Sequence, residues 1–408
     1  MEYFKLGLRN ILRNGRRSLV TALAVAFGFA AINLFSGYIH NVYAGLAAQA
    51  IHGERLGHLT IMNKGALKDG KLEPEKYLFS GADLQRLLST LRANPDVALV
   101  TLKLGVSGLV SNGKVSTIFI GEGMVPEDAI KLRGNFRNDR GGQLDPAKPV
   151  AGVVASDLAH MLKLEPGQYG VVVASTVSGQ TNAMDLEVGA TFNTGNAGTN
   201  DKFLLLPLNF TQRLLATDGA DRVVVQLGDG DRLEQARAKI GAELAAAGFA
   251  VELHTWEELS AFYRQVRNLF DMIFAFIFSI VLIVVLMSII NTMTMSVVER
   301  TREIGTLRAL GMNRRQVSLL FTVEGLLLVL LGSGTGAVLT LLAATGANAA
   351  GFSYVPPNTS DSVRLLIDFV PGVMAQAFVL LAVVATVAAL IPARRAARMK
   401  VVDALGHV

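Results

Sequence analysis

The stretch of this sequence closest to a ligand-binding pattern is Gly108-Leu-Val-Ser-Asn-Gly113-Lys114-Val115, which has the spacing of a phosphate-binding loop. Such a loop surrounds phosphates with backbone N–H groups and a helix N-terminus, and uses a Ser or Thr after the lysine to hold Mg²⁺. Val115 stands where that hydroxyl is needed, and Val115 to Ile120 alternates like a strand. Asn112-Gly113 therefore reads as a two-residue hairpin tip. Gly332-Ser-Gly334-Thr-Gly336-Ala337 has part of a dinucleotide fingerprint but lies inside an apolar run with no strand ahead of it. Gly332 and Gly336 instead have the small-xxx-small spacing at which membrane helices approach closely. The six histidines show no paired-ligand spacing and no GxSxG elbow occurs. No catalytic residue, metal ligand or cofactor is expected within this chain, which is not expected to be an enzyme by itself.

What remains is binding chemistry. "VVERTREIGTLRALGMNRRQV", Val297 to Val317, is dense in charge between two apolar runs. Glu299 to Leu310 is predicted to be a short helix, with Ile304, Leu307 and Leu310 on one side and Gly311 free to take the left-handed turn that ends it. It is too polar to insert into lipid, and an apolar stripe flanked by Arg and Glu suits a groove on another protein better than a solvated connection. Glu324 follows. An ionised side chain near a bilayer centre costs roughly 2.5–3.5 kcal/mol on insertion scales. If Asn313 and Gln316 cap the helix, Glu324 lies about 16 Å along it. It either reaches back to the membrane surface or hydrogen-bonds to another membrane helix or a facing subunit.

Membrane helices must position these residues. The 408-residue chain is 51% hydrophobic and only 17% charged. Ser18 to Tyr38, Met272 to Val298, Gly325 to Ala350 and Val370 to Ala393 are free of charge, each long enough to cross roughly 30 Å of hydrocarbon. Lys5, Arg9, Arg13, Arg16 and Arg17 precede the first run. Arg300, Arg302, Arg308, Arg314 and Arg315 separate the second from the third, and Arg394, Arg395, Arg398 and Lys400 follow the fourth. The connection from Gly346 to Phe369 has Arg364 against Asp361 and Asp368. Basic flanks stay in the cytoplasm, so both termini are expected there and the long first connection outside. Ala48-Gln49-Ala50 has the form of a signal-peptide cleavage site, but the run before it is longer than the usual apolar segment of about 7–15 residues. From His40 to Asp271 there are 23 Lys and Arg against 26 Asp and Glu, so the net +5 comes from the membrane flanks and argues against nucleic acid as a partner. With no cysteine, an exported domain must rely on its own core.

The expected fold is a membrane protein of four transmembrane α-helices with a large α+β periplasmic domain inserted between spans 1 and 2. Its expected parts are an amphipathic N-terminal helix (1–17), first span and stalk (18–41), inserted domain (42–258), stalk and second span (259–298) and short cytoplasmic helix (299–313). A third span (314–345), short outer loop (346–369), fourth span (370–393) and cytoplasmic tail (394–408) complete it. In the N-terminal segment Phe4, Leu8, Ile11 and Leu12 form a stripe beside Lys5, Arg9, Arg13 and Arg16. This is either a surface helix held by membrane lipid or a plain topology flank. Thr255 and Glu258 form a capping box from which a helix is expected to run into the second span. Helical spacing covers Ser80 to Asn94, Asp157 to Leu164 and Asp231 to Ala247, while "YGVVVAS", "KFLLLPL" and "DRVVVQL" read as strands. "SGQTNAMDLEVGATFNTGNAGTND" reads as a strand pair with a long loop. Phe35, Tyr38, Tyr43, Phe262, Tyr263, Phe270 and Phe274 gather at the outer mouth, as an interfacial aromatic belt or a candidate contact for a hydrophobic substrate.

The stretch Val297 to Val317 followed by Glu324 resembles the signature of the FtsX-like, MacB-type ABC transporter permeases, the family of lipoprotein-releasing permeases and macrolide-exporter membrane domains. "LGLRNILRNGRRSLVTALAVAFG" resembles the family's first span and "IPARRAARMKVVDALG" its C-terminal end. "ASDLAHMLKLEPGQYGVVV", "NDKFLLLPLNFTQRLL" and "VELHTWEELSAFY" resemble its periplasmic core domain. By that resemblance Glu299, Arg300, Glu303, Ile304, Gly305, Leu307, Arg308, Ala309, Leu310 and Gly311 form a coupling helix docked on a cytoplasmic ABC ATPase. Two ATPase copies, carrying the ATP and Mg²⁺, would serve a homo- or heterodimer of permease subunits. Family members with a fused ATPase carry it ahead of the first span, where this chain has seventeen residues, so a separate ATPase chain is expected. The implied setting is the bacterial inner membrane. The implied function is to convert ATP hydrolysis into periplasmic movement that extracts a lipoprotein or lipid. Regulation of a periplasmic cell-wall hydrolase, and a receptor without an ATPase, stand as alternatives.

Overall fold

The computed structural model describes residues 2–70, 72–136, 141–355 and 362–399. Lys400, Asp361 and the end of the C-terminal motif lie outside them. Contacts divide the chain into a helical unit (Met1–Tyr43, Val266–Ser353 and Arg364–Val408) and an inserted unit (Ala44–Gln265 and Tyr354–Val363).

The helical unit contains α1 (Glu2–Arg13) and α2 (Gly15–Ala48), the latter running past the unit's edge. A single residue, Asn14, separates α2 from α1, and its N–H still bonds to the Asn10 carbonyl. Among the described residues four helices are long and apolar enough to cross a membrane, one of which joins α2 to the short turn that follows it. Their shared core is built from Val25, Phe29, Val285, Ile289, Phe321, Leu328, Leu381 and Ala385, among others.

In the inserted unit nine strands form one sheet: β1 (Leu59–Asn63), β2 (Val97–Ser111), β3 (Ser116–Met124), β4 (Ala151–Ala155), β5 (Tyr169–Ser175), β6 (Thr181–Phe192), β7 (Phe203–Pro207), β8 (Arg222–Leu227) and β9 (Val251–Thr255). The pairing β2-β3-β7-β4-β6-β5 returns to β2, so six strands close a ring, and β8-β1-β9 extends from the first half of β2. Closure leaves the ring no free edge. Its interior holds Leu104, Val106, Phe119, Val172, Leu186 and Leu204, with Phe210 and Leu214 from α4 (Leu208–Leu215). The open part packs Leu59, Ile61, Val223 and Val225 against Leu84, Leu87 and Leu91 of α3 (Gly81–Ala93) and Ile240 and Leu244 of α5 (Leu233–Ala246). These contacts follow from helical spacing on one side and alternation on the other.

Lys103 lies where β2 changes partner from β8 to β3. It is fully buried, 2.7 Å from Glu122, and donates to the Glu54 carbonyl at 3.0 Å. Arg222 reaches the other Glu122 oxygen at 3.3 Å and Asp221 at 3.2 Å. Burial alone would raise the Glu122 carboxyl, but Lys103 and Arg222 outweigh it and hold the group below the usual carboxylate range.

Three expectations change. The hairpin joining β2 and β3 has a four-residue loop, because the Asn112 side chain accepts from Lys114 N (2.9 Å) and Val115 N (2.7 Å). The Gly/Asn/Thr-rich stretch forms one long strand, β6, and a short helix Ala197–Asn200 rather than a strand pair. The capping box at Thr255 is present but opens only Trp256–Leu259. Ser260 is extended (φ −79°, ψ 93°), and a new helix, α6 (Ala261–Glu299), begins behind it. Trp256 packs edge-on against Tyr263 at 4.7 Å across the break. The remaining helices are α7 (Thr301–Ala309), α8 (Arg314–Ala350) and α9 (Pro371–Arg398).

Candidate coupling site

The charged stretch forms α7, shorter than the 299–313 expected from sequence. Arg300 leaves the helical region (φ −112°, ψ 16°) and separates it from α6. At the far end Gly311 has φ 103°, which only glycine adopts freely, and Asn313 and Gln316 then form a capping box for α8.

Glu324 on α8 is 3% exposed and receives donors from three directions. Arg300 Nη1 reaches it at 3.3 Å, Ser296 Oγ at 3.4 Å and Asn10 Nδ2 at 3.4 Å. Arg300 is itself buried; it donates to Glu303 at 3.0 Å and lies over the Phe321 ring at 5.7 Å. One carboxylate therefore joins α1, α6, α8 and the start of α7. In a low-dielectric setting such a pair specifies geometry more than it stabilises, since desolvation offsets most of the attraction. Around it, Arg13 pairs with Glu303 at 2.6 Å and Arg17 pairs with Glu299. Slight burial works the other way, but Arg13 and Arg300 hold the Glu303 carboxyl below its usual range. Asn10 and Ser296 were not singled out from sequence, and Arg13 and Arg17 were read only as part of the basic flank. Their one legible trace is spacing: Arg13 and Arg17 are four apart, as are Glu299 and Glu303.

The predicted contact residues divide between the two sides of α7. Ile304 and Gly305 are buried in the bundle, and Leu307 and Arg308 are half-buried, with Arg308 donating to the Met399 carbonyl. Glu299, Glu303, Ala309, Leu310 and Gly311 are exposed, as are Arg302 and Thr306. The stripe of Ile304, Leu307 and Leu310 is thus not one face. Steps of three residues lag an α-helix by about 60° each, which carries Leu310 to the outside, where it is 80% exposed.

The glycines of α8 meet α2. A Cβ on Gly332 would lie 2.6 Å from Val25 Cβ, and one on Gly336 2.7 Å from the Ala26 carbonyl oxygen. The aromatic residues form a ladder between α2 and α6. Phe35 stacks on Phe274 at 6.3 Å, Tyr38 and Tyr43 meet Phe270 edge-on, and the Tyr43 hydroxyl donates to Asp271 at 2.9 Å. Tyr263 instead packs within the inserted unit, and Phe262 beside it is half-buried. Among the described residues no group of three or more His, Asp or Glu is placed to hold a metal ion.

Residues 18–243 match the MacB-like periplasmic core domain and residues 275–401 the FtsX-like permease C-terminal domain. The chain is 29% identical over 211 residues to the macrolide export ATP-binding/permease protein MacB of Nitrobacter winogradskyi, covering 51% of this chain and 31% of that protein. It is 24% identical over 416 residues to the protein of the same name from Campylobacter jejuni, covering 99% and 61%. It is also 30% identical over 137 residues to the uncharacterized ABC transporter permease YknZ of Bacillus subtilis, covering 33% and 34%. The chain spans less than two thirds of the length of these curated relatives.

Proposed function

This chain belongs to the FtsX-like permease family with a MacB-like periplasmic core domain, and from that premise we propose that it is the membrane subunit of an ABC transporter driven by a cytoplasmic ATPase. Two ATPase copies on a pair of permease subunits would dock on α7 and, on binding ATP, move it. The observation that carries this reading is the construction of α7. Its outer edge, Arg302, Thr306, Ala309, Leu310 and Gly311, is open, while its base is tied through Arg300 and Glu324 to α1, α6 and α8. An element free outside and anchored inside passes on a push.

The basic flanks put α7 and both termini on the cytoplasmic side of a bacterial inner membrane and the inserted unit outside. The cargo is a hydrophobic molecule, a lipoprotein or lipid, taken up without crossing the bilayer. The ladder of Phe35, Tyr38, Phe270 and Phe274 would meet it only when α2 and α6 part. Copurification followed by ATPase assay tests the reading. An ABC ATPase is expected to copurify and to be stimulated by lipoprotein more than by a macrolide or a cell-wall hydrolase. Stimulation by the hydrolase alone would favour a regulatory role, and absence of any ATPase would overturn the proposal.

A further inference from the structure

The cations around α1 serve two different purposes. Arg13 and Arg17 are committed to Glu303 and Glu299. Lys5 and Arg9, one turn apart on α1, and Arg16 at the first turn of α2 are exposed and have no ion pair among the described residues.

The apolar residues divide in the same way. Gly7, Asn10 and Ile11 are buried, and a Cβ on Gly7 would lie 3.0 Å from Leu327 Cδ1 and 3.8 Å from Glu324 Cα. This face meets α8 beside Glu324, about 15 Å along that helix from Arg314. Phe4, Leu8 and Leu12, at four-residue spacing, are exposed. Lys5 and Arg9 each directly follow a member of that stripe. An open apolar row alongside the first third of a spanning helix, edged by unpaired cations, matches the boundary of a bilayer, with acyl chains against the row and negative charge against the cations.

We propose that this face is a binding site for anionic phospholipid headgroups, formed by Lys5, Arg9 and Arg16 beside Phe4, Leu8 and Leu12. The opposite face of the same helix supplies Asn10 to Glu324, so a headgroup held here braces the α1–α8 contact at the root of α7.

The test uses the full chain in phosphatidylcholine nanodiscs and involves neither ATPase nor cargo, so its outcome is independent of the transporter reading. Leu8→Trp supplies a reporter beside the site, with the emission of the parent's single Trp256 subtracted. Brominated phosphatidylglycerol is expected to quench Leu8→Trp several-fold more than brominated phosphatidylcholine at equal mole fraction, and the preference should shrink as salt rises. Each cation near an anionic surface is worth about fivefold. Arg9→Gln alone should lower the preference, by no more than that factor and without abolishing it, and Lys5→Gln/Arg9→Gln/Arg16→Gln should abolish it. Lys5→Arg/Arg9→Lys/Arg16→Lys should retain it. Equal quenching by the two lipids, or a preference that survives the triple Gln change, would overturn the proposal.

Discussion

At the scale of single residues, Glu324 is a buried carboxylate and Glu122 a half-buried one, and each faces a buried cation. Glu324→Ala removes the acceptor of Arg300 Nη1 and leaves a buried guanidinium held only through Glu303. Breaking one side of a buried pair costs on the order of 3–5 kcal/mol, whereas exchanging both for apolar residues is often neutral. Thermal unfolding in detergent should therefore fall sharply for Glu324→Ala and recover for Glu324→Leu/Arg300→Met. Equal loss in both variants would mean that the pair itself stabilises. Glu122 sets a pH dependence. Its folded pKa lies below the ordinary 4.5, so its contribution is fully present above about that value and is lost as pH falls through the folded one. Trp256, the single tryptophan, is buried in the inserted unit and reports on that unit's unfolding. Glu122→Gln should cost about 3–5 kcal/mol near neutral pH and flatten the acid limb of the Trp256 transition.

At the scale of elements, the division of α7 separates docking from folding. Leu310→Asp changes an 80% exposed side chain and should leave the unfolding temperature unchanged while weakening ATPase capture tenfold or more, about the effect of losing an interface anchor. Ile304→Asp puts a carboxylate among Val297, Val317 and their neighbours and should lower stability by several kcal/mol before any docking is measured. A binding loss at Ile304 with unchanged stability would reverse these assignments. The two sides of α7 also mark the limit of what the sequence conveys. Spans, the strands β2, β3, β5, β7 and β8, and the helices at Gly81–Ala93 and Leu233–Ala246 were legible because each buries a face whose period is local. The Lys103 corner and the Asn10–Glu324 contact were not, because they join residues with no periodic relation. Ser260 escaped because its extended conformation depends on Trp256 packing against Tyr263 across it, whereas the apolar spacing runs on unbroken.

For the whole molecule, the strongest consequence of the proposed arrangement is that α7 and the β2–β3 hairpin lie on opposite sides of one membrane. The balance of Lys and Arg in short flanks decides orientation during insertion, and here all three basic clusters fall on the α7 side. The long connection carries almost balanced charge and has no vote of its own. The absence of cysteine allows a direct test, since a single thiol is then the only site of labelling. Gly113 lies at an open hairpin tip and Arg302 on the exposed side of α7, so neither position hides its thiol. In intact cells, Gly113→Cys should react with a membrane-impermeant maleimide and Arg302→Cys should not, the latter labelling only after permeabilisation. Asn358→Cys, in a segment outside the described residues, should behave like Gly113→Cys. Labelling of Arg302→Cys from outside would invert the protein and remove any cytoplasmic ATPase from reach of α7. Labelling of both Gly113→Cys and Arg302→Cys from one side would instead require an even number of spans between them, leaving α6 outside the bilayer.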